Sequence, residues 1–305
     1  MRRLCKCLIL LAALTVCNRS YAQVLPFVSA DFNPASVARA GASYSDTDNV
    51  AYSAFDAPAA MAFYDGKADF SAGYVMWQPG SVKTNVVNVA GMYKIAEKFS
   101  VSAGFMYGMQ PKYDVIDASG KQSGTFMPSQ MQAGVGFSWS VLPYLALGAD
   151  VNYAANTLSK DVTYGTVVAD VQMMAVFGGF KASVGVSDLG GKVASSNGTA
   201  FSLPTSVRAG VSYDVCNTEK HNLDVAADAQ YYFDGAIAAA VGTSYTFNDL
   251  LSVKAGYRYG GTSVIPSHAS VGAGVKVSGV KIDLAYVIAS SPMANTLAVS
   301  LGYSF

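Results

Sequence analysis

Very few side chains in this sequence are placed to carry out catalytic chemistry. The 305 residues include two histidines, His221 and His268. Catalysis by a Ser-His-Asp arrangement needs a nucleophile, a base and an orienting acid that are held together before the substrate binds. The strand pattern described below puts His221 in a turn at one end of the molecule and His268 in a loop at the other. We therefore expect no enzyme active site and no cofactor.

The cysteines do not form a metal-binding or redox motif either. Three of the four lie at positions 5, 7 and 17, within a segment that we expect to be removed, and the fourth is Cys216. A lone cysteine can close neither an intramolecular disulfide nor a Cys-x-x-Cys site. The sequence therefore predicts no metal site and no disulfide in the mature chain.

The N-terminus has the pattern of a secretory signal peptide. Three basic residues fall within the first six positions, an apolar stretch covers 8–16, and Ser20 and Ala22 supply the small side chains of a cleavage site. These features predict a signal peptide over 1–22. The alternative is a lipoprotein modified at Cys17, which the bulky valine before that cysteine disfavours.

Composition points to a membrane protein that crosses the bilayer without helices. Charged residues make up 13% of the chain, against about 25% in soluble domains, and the mean hydropathy is +0.28. After the signal peptide there is no apolar run of the ~20 residues that a spanning helix needs. A closed β-barrel is then the remaining option, because lipid cannot satisfy open strand edges. The net charge of zero gives no reason to expect a nucleic-acid partner.

The C-terminus shows the repeat that the rest of the chain follows. From Leu297 to Phe305 every second residue is apolar, and small or polar residues fill the alternate positions. Alternation with a period of two is typical of a strand with one apolar face. A strand that ends in a terminal Phe resembles the closing strand of bacterial outer-membrane barrels.

Fourteen segments of this kind can be counted after Lys67. They cover 68–77, 84–95, 99–110, 129–140, 145–154, 166–177, 180–187, 205–215, 223–233, 236–247, 251–259, 269–277, 280–287 and 296–305. Connections alternate between short turns and long loops, as expected of a barrel with short periplasmic turns and longer outer loops. The exception is the short outer turn at Asp234-Gly235. We predict an all-β fold, a transmembrane antiparallel barrel of about 14 strands over 67–305 in the bacterial outer membrane, with its outward face on outer-membrane lipid.

The residues between the signal peptide and the first strand do not alternate. The segment 23–66 contains three prolines, and Asn33 followed by Pro34 predicts the start of a short helix that ends at Ala40. The inward barrel positions are often Gly, Ala or Ser, which leaves space inside. We predict that 23–66 folds into the lumen as a plug. The alternative is a disordered periplasmic tail, which its apolar content disfavours.

Charged residues are also predicted on the inward face of several strands. The network that we expect consists of Asp150, Asp170, Arg208, Asp224, Asp228, Lys254 and Arg258. Arg208 faces the strand that carries Asp224 and Asp228. These charges either satisfy one another as buried ion pairs or form a polar pathway or gate for the plug.

Several short motifs, taken in order, resemble the PorV/PorQ family of Bacteroidota outer-membrane proteins, relatives of FadL-type barrels. The motifs are the segments 38–42, 57–63, 124–129, 187–191, 203–210, 255–259 and 291–297. In 57–63, Ala57 stands where the family usually has Asn. By this resemblance the plug residues of interest are Asn33, Pro34, Arg39, Gly41, Pro58 and Phe63.

The resemblance implies a role beside type IX protein secretion. A PorV-like barrel would bind a type IX translocon barrel and secreted cargo proteins through its outer loops, without chemistry. The alternative is a FadL-type channel that takes up a hydrophobic small molecule through its lumen. A third reading is a barrel with a purely structural or assembly role.

Overall fold

A computed structural model describes residues 27–77, 83–117, 119–191, 193–195, 200–260, 265–289 and 296–305. The predicted signal peptide, the first residues of the 23–66 segment and most of the motif at 291–297 lie outside these described ranges. The remaining predictions all fall on described parts of the chain, in whole or in part.

The chain is mostly β-strand, with two short helices before the first strand. The helices are α1 (Pro34–Ala38) and a 3-10 helix (Pro58–Phe63). The first strands are β1 (Ala68–Trp77), β2 (Thr84–Ala96), β3 (Phe99–Met109), β4 (Tyr113–Ile116), β5 (Gln122–Phe126) and β6 (Ser129–Leu142). Next come β7 (Leu145–Ser159), β8 (Val162–Phe177), β9 (Phe180–Gly190), β10 (Val193–Ser195), β11 (Ala200–Phe201) and β12 (Ser206–Asn217). The last are β13 (His221–Tyr232), β14 (Ile237–Phe247), β15 (Leu251–Gly260), β16 (His268–Val277), β17 (Val280–Ile288) and β18 (Leu297–Ser304). Neither helix among the described residues is long and apolar enough to cross a membrane.

Fourteen of these strands close into one antiparallel barrel. Each pairs with its neighbours in the order β1, β2, β3, β6, β7, β8, β9, β12, β13, β14, β15, β16, β17, β18. Closure comes from the pairing of β18 with β1, where Leu301 lies opposite Ala72. The fourteen predicted strands are thereby confirmed, with ends that differ by a few residues. Closure leaves no barrel edge that would expose unpaired backbone groups to lipid.

The two faces of the barrel differ in the way the alternation predicts. On β6, Val135 and Phe137 are 62% and 44% exposed on the outer face, whereas Ser138 is fully buried. The same contrast runs around the barrel and gives a continuous apolar outer belt. Phe99 stacks on Phe137 within this belt, near the periplasmic end. An apolar exterior and a polar interior are the arrangement that a lipid surround requires.

Three outer connections are more ordered than the sequence predicted. The segment 155–165 is mostly strand, because β7 and β8 continue pairing up to a turn at 160–161. The segment 111–128 holds the hairpin of β4 and β5, and 188–204 begins inside β9. Residues 157–163 and the strands of the β4–β5 hairpin are exposed or half-buried on both faces, so their sequence lacks the alternation that marks the lipid-level parts.

The predicted tight turn at Asp234-Gly235 is also longer than expected. β13 ends at Tyr232 and β14 begins at Ile237, so four residues connect them, and the backbone N–H of Tyr232 donates to the carbonyl of Ala236 at 2.9 Å. Gly235 has a φ of +97°, which glycine adopts without strain. The side chain of Asp234 accepts from the Ala236 N–H at 3.0 Å, which explains why this turn attracted an Asp-Gly pair.

The lipid exposure of the outer belt predicts a depth-dependent cost for a charge. Val135 lies near the middle of β6, whereas Val277, 52% exposed, ends β16 beside a periplasmic turn. We expect Val135→Arg to lower the free energy of unfolding in liposomes by about 2–4 kcal/mol and Val277→Arg by about 0–1 kcal/mol. Urea unfolding of the refolded protein would measure both. Equal costs at the two positions would show that β6 does not cross the bilayer as described.

Candidate functional site

Residues 27–66, here called the N-terminal segment, pack against inward-facing residues of the barrel strands. Helix α1 contacts β15, β16, β17 and β18, while the 3-10 helix contacts β2, β3, β6, β7 and β8. Two clusters of buried apolar residues form between the segment and the wall. The segment therefore contacts strands on two different arcs of the barrel wall.

Helix α1 begins where the sequence predicted. The Oδ1 of Asn33 accepts a hydrogen bond from the Ala35 N–H, at 3.1 Å, and Pro34 occupies the first turn. The helix ends at Ala38, two residues before the predicted end. Gly41, with a φ of +82°, continues the turn that follows. This turn brings the chain back across the lumen toward β13.

The 3-10 helix begins at a strained residue. Pro58 is its first residue, and Ala57 before it has a φ of +54°, in the left-handed region. Asn tolerates that region far better than Ala does. Ala57 is the position where the PorV/PorQ motif that the sequence resembles usually has Asn, and Asn here would relieve this strain. Phe63, at the end of this helix, packs against the buried cluster that contains Tyr44.

Arg39 is the main electrostatic link between the segment and the wall. Its side chain is buried, forms an ion pair with Asp224 of β13 and lies 3.5 Å from Asp46 of the segment itself. Burial raises the pKa of Asp46, but the charges of Arg39 and Lys181 and the hydrogen bonds from the Asp48 N–H and the Asn49 amide together bring it below its ordinary value. Removing one member of a buried ion pair costs about 3–5 kcal/mol.

Arg208 makes a second link. Its guanidinium lies 2.6 Å from Asp56 of the segment and 3.7 Å from Asp228 of β13, and it stacks over the ring of Tyr44 at 4.3 Å. Asp228 also accepts hydrogen bonds from two backbone N–H groups of the segment, Ser43 at 3.1 Å and Tyr44 at 2.9 Å. This carboxylate therefore bonds to both the wall and the segment.

The rest of the predicted charge network divides into separate groups. Lys254 pairs with Asp283 at 2.7 Å, and Asp150 accepts from the amide of Asn152 at 2.6 Å. Asp170 lies opposite Asp150 across β7 and β8 and accepts from the backbone N–H of Asp188 at 2.7 Å.

The sequence identified the barrel charges of this network but missed their partners in the segment. Asp46 and Asp56 were missed because the segment has no regular period that tells which side chains face the wall.

A cavity of about 140 Å³ lies between the segment and the outer ends of the strands. Its apolar lining includes Phe32, Trp77, Met106, Ile265 and Val287. Its polar lining includes Asp31, Asp170, Asp188, Arg208, Gln230, Arg258 and His268. Its apolar residues come from β1, β3, β17 and the N-terminal segment, and its charged residues come from the segment and from β8, β9, β12 and β15.

Two aromatic rings, those of Phe32 and Trp77, form part of one side of this cavity, and Phe27 packs behind them. The ring centroids of Phe27 and Phe32 are 4.7 Å apart, and Phe32 meets Trp77 edge to face at 5.4 Å. Such contacts hold the rings in fixed orientations. Next to Phe32, Asp31 is exposed at its surface yet surrounded by protein, and the loss of bulk water around it raises the pKa of its carboxyl to about 6.

The two histidines lie far apart along the barrel axis. His221 lies at the periplasmic end of β13, where its Nδ1 is 2.7 Å from the hydroxyl of Tyr245. His268 begins β16 at the outer end, where its Nδ1 lies 2.8 Å from the carbonyl of Pro266. Over the described ranges, no three His, Cys, Asp or Glu residues are grouped so that they could hold a metal ion.

Comparison with known proteins relates the fold to outer-membrane transporters. No family model and no curated protein matches this sequence. The structure of the Ralstonia pickettii toluene transporter TbuX matches with a TM-score of 0.64 at 10% identity, over 90% of this chain and 97% of that one. The Pseudomonas putida toluene transporter TodX matches with 0.57 at 14% identity, over 81% and 92%. A Pseudomonas aeruginosa FadL homologue matches with 0.55 at 13% identity, over 90% and 98%.

These likenesses show that the chain has the fold of FadL-type outer-membrane barrels. The closed barrel and its apolar belt agree with that group and place the chain in the bacterial outer membrane.

The fit of the segment against the wall predicts the effect of a larger side chain at Gly256. A Cβ at this inward position of β15 would overlap the backbone of Arg39. We expect Gly256→Val to displace the segment and expose the bond after Arg39 to trypsin in detergent micelles, with cleavage at least tenfold faster than in the unchanged protein. The matched control is Ala255→Val, one residue along on the outer face. Slow cleavage in both variants would contradict the described docking.

Proposed function

We propose that this protein is an outer-membrane channel that admits small, largely apolar molecules from outside the cell. The observation that carries the proposal is the cavity between the N-terminal segment and the outer strand ends, with Phe32, Trp77 and Val287 on its apolar wall. Ligand sites are enclosed spaces with mostly apolar walls and a few polar groups that orient the ligand. The transporters TbuX and TodX share the fold and are described as toluene transporters.

The size of the cavity sets the size of the solute. Its volume of about 140 Å³ is close to that of an apolar protein cavity of about 150 Å³ that binds benzene. One six-membered ring with a small substituent fits such a space, whereas a long chain would extend beyond it. We therefore expect ring-sized solutes to be preferred over longer ones.

In this proposal the N-terminal segment acts as a plug below the cavity. The ion pairs of Arg39 and Arg208 and the backbone hydrogen bonds to Asp228 hold its middle part against β12 and β13. Breaking them all at once would cost more than the ~1–3 kcal/mol typical of conformational coupling. Passage of a solute is therefore expected to involve local shifts of the segment, with its two ion-paired links kept.

The secretion role stays an unsupported alternative. It rests on the resemblance of short motifs to the PorV/PorQ family, and no family model supports that resemblance. No contact or surface in the described residues points to a translocon barrel or to cargo. The fold comparison favours the channel reading instead.

Filling the cavity provides the direct test. Val287 lines the cavity and is almost fully buried, whereas its neighbour Ile288 is 54% exposed on the outer face. We expect Val287→Trp to reduce toluene uptake at least fivefold, because the indole occupies the space that the solute needs. Ile288→Trp should leave uptake unchanged. The assay is toluene-dependent growth or oxygen consumption of a bacterial host that degrades toluene and lacks its own outer-membrane transporter.

Two results would overturn the channel proposal. One is equal uptake by the unchanged protein and a strain that carries an empty vector. The other is equal uptake by the Val287→Trp and Ile288→Trp variants when both are present in the outer membrane in equal amounts.

A further inference from the structure

Arg258 differs from the other buried cations inside the barrel. Its side chain is 9% exposed, yet no carboxylate of the described residues forms an ion pair with it. Arg39, Lys181, Arg208, Lys254 and Lys281 each lie beside an acidic partner. A buried charge without a counter-charge is costly, so its retention calls for a partner.

The neighbours of Arg258 orient its guanidinium without neutralising it. The Nη2 donates to Oε1 of Gln230 at 2.9 Å and lies 3.4 Å from the Tyr232 hydroxyl. The Nε is buried and has no hydrogen-bond partner among the described residues. The Nη1 lies on the side of Gly41, where an added Cβ would be 3.4 Å away.

Arg258 also lies next to the apolar wall of the cavity. It is opposite His268 in the register of β15 and β16, and the next strand, β17, contributes Val287. The aromatic rings of Phe32 and Trp77 continue that wall. One space therefore joins an unpaired guanidinium to an apolar surface large enough for one ring.

The remaining charges of the cavity limit where an anion can bind. Asp56 is paired with Arg208, while Asp170 of β8 and Asp188 of β9 make that side of the cavity acidic. A carboxylate there would meet like charges, so only the side of Arg258 and His268 favours it. The same acidic side disfavours a second negative charge on the ligand.

From this arrangement we propose that the cavity binds ring-sized monocarboxylates, with the carboxylate on Arg258 and the ring against Phe32, Trp77 and Val287. The inference rests on the proposed channel function, because it names the solute of the same cavity. The two proposals differ in the charge of the solute. A neutral hydrocarbon would contact the apolar wall and leave Arg258 without an ion-pair partner, whereas a monocarboxylate would use both. Charge-assisted hydrogen bonds from a guanidinium to a carboxylate are stronger than neutral ones and give the site its preference.

The fluorescence of Trp77 can be used to measure this binding. The chain has two tryptophans, of which Trp77 lines the cavity and Trp139 lies on the outer face, 42% exposed. A Trp139→Phe variant of the full mature chain leaves Trp77 as the one fluorophore of its kind. Titration with benzoate, toluene and octanoate then compares a charged ring, a neutral ring and a longer charged chain.

The expected result is saturable quenching of Trp77, with benzoate bound more tightly than toluene or octanoate. In the same background Arg258→Gln should weaken benzoate binding at least tenfold and leave toluene binding unchanged, since one charge-assisted interaction is lost. Arg258→Lys should restore part of the affinity. The control Lys276→Gln removes an exposed cation from the periplasmic end of β16 and should change neither affinity.

Two outcomes would overturn the inference. Benzoate that binds no more tightly than toluene would remove the preference for an anion. Equal benzoate affinity in the Arg258→Gln variant and the Lys276→Gln control would show that Arg258 serves only to position Gln230 and Tyr232. Toluene uptake in cells reports separately on the channel proposal, so a working toluene channel without benzoate binding would reject the carboxylate site alone.

Discussion

A backbone that crosses lipid must satisfy its hydrogen bonds within the protein, and this chain does so when β18 pairs with β1. Every other feature of the molecule depends on that closure. It allows the outer face to be apolar, as at Val135 of β6 and Leu301 of β18. It also separates an inner surface from the membrane. The inner surface can then carry charge, because water and the N-terminal segment, not lipid, lie against it.

The inner surface and the N-terminal segment fit each other closely. Glycines on β6, β7, β14, β15 and β16 stand where a side chain would overlap the segment, as Gly242 does beside Arg39 and Gly272 beside Ala38. Ion pairs then hold the segment at two points along β12 and β13. The small inward residues therefore leave room for the N-terminal segment as well as for a solute. The space that remains is the cavity at the outer end, whose chemistry is set jointly by the segment and the wall.

The strands could be predicted from the sequence because lipid on one side and a polar lumen on the other impose a period of two. The prediction failed where that contrast ends. Residues 155–165 continue as strands above the membrane, where 157–163 are exposed or half-buried on both faces and polar residues such as Thr157 and Lys160 resemble a loop. The fold class, the strand number and the start of α1 at Pro34 were all readable from local patterns.

The site was less accessible to sequence reasoning. The pair of Arg39 and Asp224 joins residues 185 positions apart, and the segment that carries Arg39 has no period to show its contacts. Inward charges on the strands were recognised, but the unpaired state of Arg258 depends on which acids reach it in three dimensions. The aromatic wall likewise combines Phe32 of the segment with Trp77 of β1, whose proximity follows only from the fold.

The most direct test of this account is to locate a ring-sized solute inside the protein. Crystals of the mature chain soaked with 4-bromotoluene would reveal the bromine by its anomalous scattering. The account predicts a peak within the barrel between the rings of Phe32 and Trp77 and the side chain of Val287. Bromine peaks confined to the outer belt, with none in the cavity at saturating solute, would contradict it.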